Sequence, residues 1–251
     1  VREALTGMAD KIEEEIRREN MREASALAPK LIYEIIREEG EEELNRPLRS
    51  LIWSGAAAGF LISFSVLGEA IFRTYLPDAK WRHLVENLGY SFGFLLVIMG
   101  RMQLFTENTI TTVLPFAVKR TMSMFLCILR LWAVVLVMNV IGALGAAALL
   151  AHSPAIPADF LPALLDLSRH AFGFPANEAF FRAIPAGILV ASIVWMLPQA
   201  ESSSFWIILL FTWLIAAGDF THIVAGSVEM WFLALTGTTT LSEAVFSFFL
   251  P

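Results

Sequence analysis

Basic residues are absent from the C-terminal part of this 251-residue chain, because no lysine or arginine follows Arg182. The 69 residues 183–251 therefore cannot form an ordinary soluble surface, which carries charges of both signs. The single cysteine, Cys127, excludes an internal disulfide framework and a cysteine metal cluster. A net charge of −6 offers no basic face to nucleic acid, so we expect no nucleic-acid partner.

Hydrophobic residues make up 57% of the chain and charged residues 17%, whereas a soluble domain has roughly 45–50% and ~25%. The charge is concentrated in residues 1–50, which hold nine of the 18 basic and 13 of the 24 acidic residues. Residues 51–251 are too long for a single-span anchor and too apolar for a disordered tail. We therefore predict an all-α integral membrane protein embedded in the lipid bilayer.

Residues 1–50 are predicted to form a charged amphipathic N-terminal helical region. Ile12 and Ile16 are one helical turn apart among charged residues. A second apolar stripe follows Pro29 and consists of Leu31, Ile32, Ile35 and Ile36. We expect one or two helices that lie on the membrane face or against neighbouring subunits. The alternative is a solvated helix without a partner.

Five apolar segments and the start of a sixth make up the predicted transmembrane domain, residues 51–251. The segments cover residues 51–76, 84–116, 122–151, 179–197 and 204–235, and the sixth starts at Leu241. The second and fifth exceed the about 20 residues that one straight crossing needs. Gly55 and Gly59 in the first segment are spaced as GxxxG, which predicts a close helix–helix contact.

Polar residues interrupt the two over-long segments near their middles. The interrupting residues are Arg101, Glu107 and Asn108 in the second segment and Asp219 in the fifth. A charge at the bilayer centre costs at least ~2.5–3.5 kcal/mol, so these side chains cannot face lipid on intact helices. A discontinuous helix whose unwound middle faces a protein-lined cavity avoids this cost. We interpret the four residues as support for two helix breaks.

The two breaks occupy corresponding positions in the order of segments, which is typical of an inverted-repeat transporter with its site at the repeat interface. The pairs Phe105-Thr106 and Phe220-Thr221 are a further, weaker match. We predict an inverted repeat of three plus three spans, with spans two and five broken and the last span truncated in this sequence. Residues 101–108 and 218–222 are predicted to be non-helical and to face one cavity from opposite sides.

His222 lies at the second break, whereas His83, His152 and His170 lie at span ends. An intramembrane imidazole can donate a proton or a hydrogen bond to an anion. The alternative is a structural histidine bonded to backbone carbonyls of the broken helix. Thr106, in the first break, can donate to a substrate oxygen or cap the following half-helix. The positive end of that half-helix favours an anion in the cavity.

Enzymatic chemistry finds no support in the sequence. A bis-histidine haem needs a second histidine at the depth of His222, and none is placed there. Ser227 follows His222 by five residues on the same helix, where the two would not face each other as a proteolytic pair. The sequence contains no Walker-type phosphate-binding loop, so it gives no indication of ATP-driven transport. We therefore predict no catalytic residue, no metal site and no cofactor.

Membrane orientation is weakly encoded, because five basic residues lie on each side of the spans. The first long apolar run starts only at Leu51. We therefore expect the charged N-terminal region to stay in the cytoplasm. Glu69 is near a span end, and we expect it at the membrane interface.

The broken segments resemble those of the formate/nitrite transporter family. Residues 104–108, LFTEN, are similar to its E-L-F-T-G-N loop, and residues 218–226, GDFTHIVAG, to its G-F-E-H-S-I-A-N segment. Gly93 and residues 193–196 fall where the family keeps glycine and V-W-M. The resemblance covers about residues 45–251. It extends to the YfdC-like branch, whose members show similar stretches at residues 104–109, 130–139 and 212–229.

The resemblance implies an aquaporin-like channel protomer with six spans and one pore, assembled as a homopentamer in the inner (cytoplasmic) membrane. Such a channel moves small monovalent anions such as formate, nitrite or hydrosulfide, or their neutral acids, passively or linked to a proton through a central histidine. By position, His222 is that histidine, and Thr106 is the loop threonine that faces it, with Thr221 beside them. We expect the His222 ring within hydrogen-bonding distance of Thr106 or of a water between the two. The constriction residues are Leu104 and Phe94 on the inner side and Tyr90 and Ile215 on the outer side.

Three positions depart from the family pattern: Thr221 replaces a glutamate, and Gly226 and Gly187 replace asparagines. These replacements remove a carboxylate and two amides from the pore, so the resemblance implies the architecture but not the identity of the anion. Two other functions stay open. One is a neutral-solute pore of the water or glycerol kind, which the apolar constrictions and the absence of paired Asn-Pro-Ala motifs disfavour. The other is a non-transporting membrane scaffold assembled through the N-terminal region.

Overall fold

The computed structural model describes residue 14 and residues 28–246, and every regular element within these residues is a helix. The helices are α1 (Pro29–Asn45), α2 (Leu48–Leu61), α3 (Ser63–Tyr75), α4 (Arg82–Glu86), α5 (Ser91–Met99), α6 (Phe105–Val118), α7 (Met122–His152), α8 (Leu161–Phe172), α9 (Ala176–Met196), α10 (Ser204–Ala217), α11 (Ile223–Leu235) and α12 (Leu241–Ala244). Three helical stretches are long and apolar enough to cross a membrane: Leu48–Tyr75, Met122–His152 and Ala176–Gln199. The pairs α5–α6 and α10–α11 form the two interrupted spans.

The GxxxG pair of α2 lies against α7 of the same chain. A side chain at Gly59 would collide with the backbone carbonyl of Asn139, and Gly55 also faces α7. Gly142 of α7 approaches the backbone of Ala56 in return, so the two helices touch backbone to backbone. The predicted helix–helix contact is confirmed.

The two broken spans are interrupted by the same backbone turn. The first half-helix ends at Gly100 or Gly218, and the next residue, Arg101 or Asp219, has the left-handed conformation, with φ of 48° and 53°. The N–H of the residue after the turn then donates to the carbonyl five residues before it: Met102 to Val97 at 3.0 Å and Phe220 to Ile215 at 2.9 Å. This pattern is the Schellman helix end, which normally uses glycine at the left-handed position.

The turn fixes which residues correspond in the two breaks. Leu104 and His222 occupy the same place, an extended residue directly before the second half-helix. The predicted equivalence of the two Phe-Thr pairs is wrong, because Phe105 is already the first residue of α6 while Phe220 still follows the turn.

Residues 218–222 are non-helical as predicted, but only residues 101–104 of the first stretch are unwound. The N–H of Phe105 donates to Oδ1 of Asn139 at 2.9 Å. That side chain supplies a bond that the start of a helix otherwise lacks, so α6 can begin at once. Glu107 therefore lies in the first turn of α6 rather than in a loop.

Helices outside the predicted spans pack against the broken ones. α1 packs Ile32 and Ile36 against α6 and α9, so this amphipathic helix finds its partner within its own chain. α8, which the sequence analysis did not identify, packs against α3 and α11. Ile12 and Ile16 lie outside the described residues, as do residues 247–251, which follow the start of the sixth segment at α12.

Candidate functional site

The two breaks meet at one hydrogen bond between side chains. Oγ1 of Thr106 and Nε2 of His222 are 2.9 Å apart. Thr106 is the second residue of α6, and His222 directly precedes α11, so the bond joins the N-terminal ends of two half-helices. His222 is only 5% exposed. The structure thus brings together the two residues that the sequence marked at the breaks.

Hydrogen bonding fixes the tautomer of His222. Its Nδ1 accepts from the backbone N–H of Ala225 at 3.3 Å and thereby caps α11. Because Nδ1 must keep its lone pair to accept, the proton of the neutral ring is on Nε2 and is donated to Thr106. The hydroxyl hydrogen of Thr106 is left without an acceptor among the described residues.

The backbone contacts of the two residues differ from those that the structural alternatives predict, although His222 does have a structural role as the cap of α11. His222 bonds a backbone amide instead of backbone carbonyls. Thr106 does not cap α6, whose N-cap residue is Leu104 and has no side-chain cap bond. The Thr106 hydroxyl is therefore not needed by the backbone and can interact with a solute.

Apolar side chains close the space around this contact. The ring of Phe94 meets the imidazole of His222 edge-on, with 5.0 Å between centroids, and the ring of Tyr90 lies 5.1 Å from Phe94. Phe94, Leu104 and Ile215 are fully buried in one apolar cluster. Phe94 and Leu104 together form what we call the apolar seal.

A cavity lies on each side of the seal. The α8-side cavity, about 480 Å³, is bounded by α3, α4, α8 and α11 and by residues 219–222 of the second break. The α1-side cavity, about 270 Å³, is bounded by α1, α6 and residues 101–103 of the first break. The prediction that both breaks face one cavity is wrong. Tyr90, the N-cap of α5, lines the α8-side cavity and Ile98 of α5 lines the α1-side cavity, with Phe94 between them, so the breaks open to cavities on opposite sides of the seal.

Two amide side chains that the sequence analysis did not single out hold the first break. Asn139 donates through Nδ2 to the carbonyls of Gly55 and Gln103, each at 2.8 Å. Gln103 donates through Nε2 to Glu43 at 2.7 Å and accepts from Asn108 at 3.0 Å. Asn108 therefore supports the break through Gln103. The sequence offered one signal for this role: Asn139 is an isolated amide within the apolar third segment, residues 122–151.

Arg101 and Glu107 both line the α1-side cavity, but they form no ion pair with each other or with any other described residue. The side chain of Arg101 is exposed and lies within electrostatic reach of Glu39 on α1. Arg101 and Glu107 therefore do not support the break by pairing with each other, because the arginine occupies the left-handed turn while the glutamate already lies on α6.

The second break is held by α8 and α9. Oδ1 of Asp219 accepts from Nε2 of His170 at 2.9 Å, and the Asp219 carbonyl accepts from Arg182 at 3.1 Å. The hydroxyl of Thr221 donates to the carbonyl of Ala179 at 2.6 Å. Thr221 lines the α8-side cavity, yet its hydrogen is used by α9, so it offers a solute only lone pairs.

Two carboxyl groups of the α8-side cavity also escaped the sequence analysis. Glu69 lines this cavity and is 7% exposed, an environment that the sequence did not predict for it. Glu229 lines the cavity from α11, seven residues after His222 and on the same helix face. The seven-residue spacing from His222 was the feature of the sequence that could have identified Glu229.

The acidic face of α1 has shifted pKa values. Burial raises the pKa of Glu43, although Arg46 and the hydrogen bond from Gln103 oppose the shift, and burial raises the pKa of Glu39. Glu41 shows the opposite behaviour, because the hydrogen bond from Lys119 lowers its pKa. The charge that these α1 carboxyls present to their neighbours therefore depends on pH.

Comparison with known proteins yields one family. A sequence model described as formate/nitrite transporter matches residues 30–251. The chain is 44% identical over 220 residues to the inner membrane protein YfdC of Escherichia coli K12, covering 88% of this chain and 71% of that protein. It is 28% identical over 187 residues to the formate channel FocA of Haemophilus influenzae, covering 72% of this chain and 64% of the channel.

Solved structures share the fold. A pentameric formate channel with formate bound superposes with a TM-score of 0.64 at 18% identity, covering 79% of each chain. An FNT family ion channel superposes with a TM-score of 0.68 at 20% identity, covering 86% of each chain. The all-α membrane fold predicted from the sequence is confirmed.

Proposed function

The chain belongs to the formate/nitrite transporter family, and we propose that it forms a transmembrane pore for a small monovalent anion, or for the neutral acid that this anion becomes on protonation. The observation that supports this most is the His222–Thr106 hydrogen bond, which lies between two cavities. One relative is a formate channel, so formate is the first anion to test.

The contact favours an anion over a cation. The N-terminal ends of α6 and α11 meet there, and the exposed N–H groups of a helix start carry partial positive charge. The hydroxyl hydrogen of Thr106 has no acceptor among the described residues and can donate to an anion oxygen. These features supply hydrogen-bond donors where a solute would pass.

The apolar seal sets the barrier to passage. An ion that loses its water between Phe94 and Leu104 faces a cost of tens of kcal/mol in the idealised Born limit. A neutral acid avoids most of this cost. We therefore propose that the solute crosses as the acid, hydrogen-bonded by Thr106 and His222. His222 takes part in its neutral form, because a proton on Nδ1 would break the cap on α11.

The proposal extends to assembly and location. The fold is shared with a channel described as pentameric, and the relative YfdC is an inner membrane protein. We propose a homopentamer in the inner membrane that acts without enzymatic chemistry, with one pore in each protomer and the N-terminus in the cytoplasm. In each pore the seal is one constriction, and Tyr90, on the α8-side cavity, begins the other.

Uptake by liposomes containing the purified protein tests this function. Formate, nitrite and hydrosulfide would be offered separately over a series of external pH values, with glycerol and water as neutral solutes and empty liposomes as the control. We expect at least one anion to enter, and to enter faster at acidic external pH. Glycerol flux alone would indicate a neutral-solute pore, and flux of no solute would indicate a scaffold.

A further inference from the structure

Glu69 and Glu229 face the α8-side cavity without partners. Glu69 is 7% exposed, and within the described part of the chain neither carboxyl makes a hydrogen bond or an ion pair. Their helices, α3 and α11, pack against each other, and the two carboxyls are within electrostatic reach. Glu69 is buried and Glu229 is half-buried, and carboxyl groups that are largely removed from water are normally paired, so this arrangement requires an explanation.

The arginines of the cavity are bound to other acids. Arg73 pairs with Glu86 and Asp166, and Arg82 pairs with Asp78 and Glu86. Glu86 is therefore a carboxylate of this cavity whose charge is neutralised by two arginines. Glu69 and Glu229 have no such counter-ion.

The remaining titratable groups of the cavity do not neutralise the pair either. His170 bonds Asp219, and Nε2 of His83 lies 3.3 Å from the carbonyl of Ala217. Lys80 is exposed and Tyr90 contributes a neutral phenol. Two unpaired carboxyls that line one cavity within electrostatic reach of each other repel when both are ionised, so we expect the pair to hold at least one proton.

The pair also lies on the route to the seal. Glu229 is on the face of α11 that carries His222, and Gly226 between them has no side chain to block the path. The ring of His222 is a poor source of a proton in this state, because its Nδ1 caps α11 and its Nε2–H is bonded to Thr106. The family glutamate next to the histidine is Thr221 here, so that position supplies no acid.

We propose that Glu69 and Glu229 form a proton-loading pair for the transported anion. A carboxyl O–H of the pair breaks and its proton moves to the anion, which leaves a carboxylate and the neutral acid. The acid then passes His222 and the seal, and a proton from the bulk solution, relayed by water in the cavity, returns to the carboxylate. This inference rests on the proposed function, since it names the proton source for that transport.

Two measurements on the full-length protein in liposomes test the pair. Infrared spectroscopy at neutral pH detects the C=O band of a protonated carboxyl, and formate influx measures transport. The variants are Glu69→Gln, Glu229→Gln and the double substitution, with Glu38→Gln as the control because Glu38 is exposed on α1. Gln keeps the shape of Glu, so the variants should fold, and Glu229→Asp should recover part of the influx because it restores an acid.

We expect the carboxyl band of the wild type to lose intensity in the double variant, while other unpaired carboxyls such as Glu107 keep contributing to it. Influx should fall by about 100-fold in the double variant, the lower end of what a positioned proton donor contributes, and should lose its rise at acidic pH. Wild-type influx and pH profile in the double variant, or a carboxyl band of equal intensity in the wild type and the double variant, would overturn the inference. If the wild type carries no formate, nitrite or hydrosulfide, the proposed function fails, and the infrared band alone decides whether the pair holds a proton.

Discussion

At the scale of the residue, both ring nitrogens of His222 are used in bonds that only the neutral imidazole can make together. Nδ1 accepts from Ala225, and Nε2–H donates to Thr106. A histidine that caps a helix and orients a hydroxyl is a positioning group, and we propose that it also contacts the solute. The proton that accompanies an anion is then more readily supplied by a carboxyl than by this ring.

At the first break, Asn139 makes three hydrogen bonds to backbone groups through its side chain. Its amide satisfies the N–H of Phe105 and the carbonyls of Gly55 and Gln103. We expect Asn139→Ala to destabilise the protein by about 2–5 kcal/mol, since each buried polar group left unpaired costs about 1–3 kcal/mol. Thermal unfolding in detergent measures the effect. The control is Asn45→Ala at the exposed end of α1, and an equal loss in both variants would contradict the prediction.

At the scale of the element, the two helix breaks use the same left-handed turn with different side chains. Arg101 makes no ion pair within the described residues, whereas Asp219 bonds His170. A non-glycine residue in this conformation stores about 1–3 kcal/mol of strain. We expect Arg101→Gly to stabilise the protein by about 1 kcal/mol after the entropy cost of glycine. Asp219→Gly should give no gain, because it loses the bond to His170. Unfolding temperatures of the two variants in detergent compare them, and equal destabilisation by both would contradict this account.

The packing of helix α1 beside the α1-side cavity is expected to depend on pH through Glu43. Burial raises the pKa of Glu43 above its ordinary value of 4.5, so the stabilisation of α1 packing is complete below that value and is lost as pH rises through the raised pKa. We expect hydrogen-exchange protection of α1, corrected for intrinsic rates, to fall over this window. Glu43→Gln should flatten the dependence.

Glu41→Gln is the matched control for this experiment, because Lys119 lowers the pKa of Glu41. Its contribution is present above the ordinary pKa and is lost as pH falls through the lowered value. Glu41→Gln should therefore leave the loss of protection at rising pH unchanged. An unchanged profile in Glu43→Gln would show that this carboxyl does not control α1.

At the scale of the whole molecule, features that depend on local pattern were predictable from the sequence. Apolar length and the cost of intramembrane charge predicted broken spans, and small-residue spacing predicted the contact of Gly55 and Gly59 with another helix. His222 stood out because it is the histidine inside an apolar segment rather than at its end. Each of these inferences needs only one segment at a time.

Features that depend on how distant segments meet were not predictable. The repeated Phe-Thr pair suggested a false register, because sequence identity does not reveal where the left-handed turn falls. The separation into two cavities follows from the depth at which each half-helix stops. Asn139 and Glu69 gain their roles from neighbours on other helices, such as Phe105 and Glu229. None of these distances can be read from one segment.

The most direct test of the central claim, that the solute passes by way of the His222–Thr106 contact, is a double-mutant cycle read by formate influx into liposomes. His222→Asn keeps a side-chain acceptor for the cap on α11, and Thr106→Val keeps the shape of the side chain, so both variants should fold. We expect each to slow influx by about 2- to 10-fold, because a hydrogen bond between neutral groups contributes about 0.5–1.5 kcal/mol. The double variant should be little slower than either single one, because the two residues act as a unit, and influx should still rise at acidic pH. Losses that add fully in the double variant, or wild-type influx in it, would contradict the account.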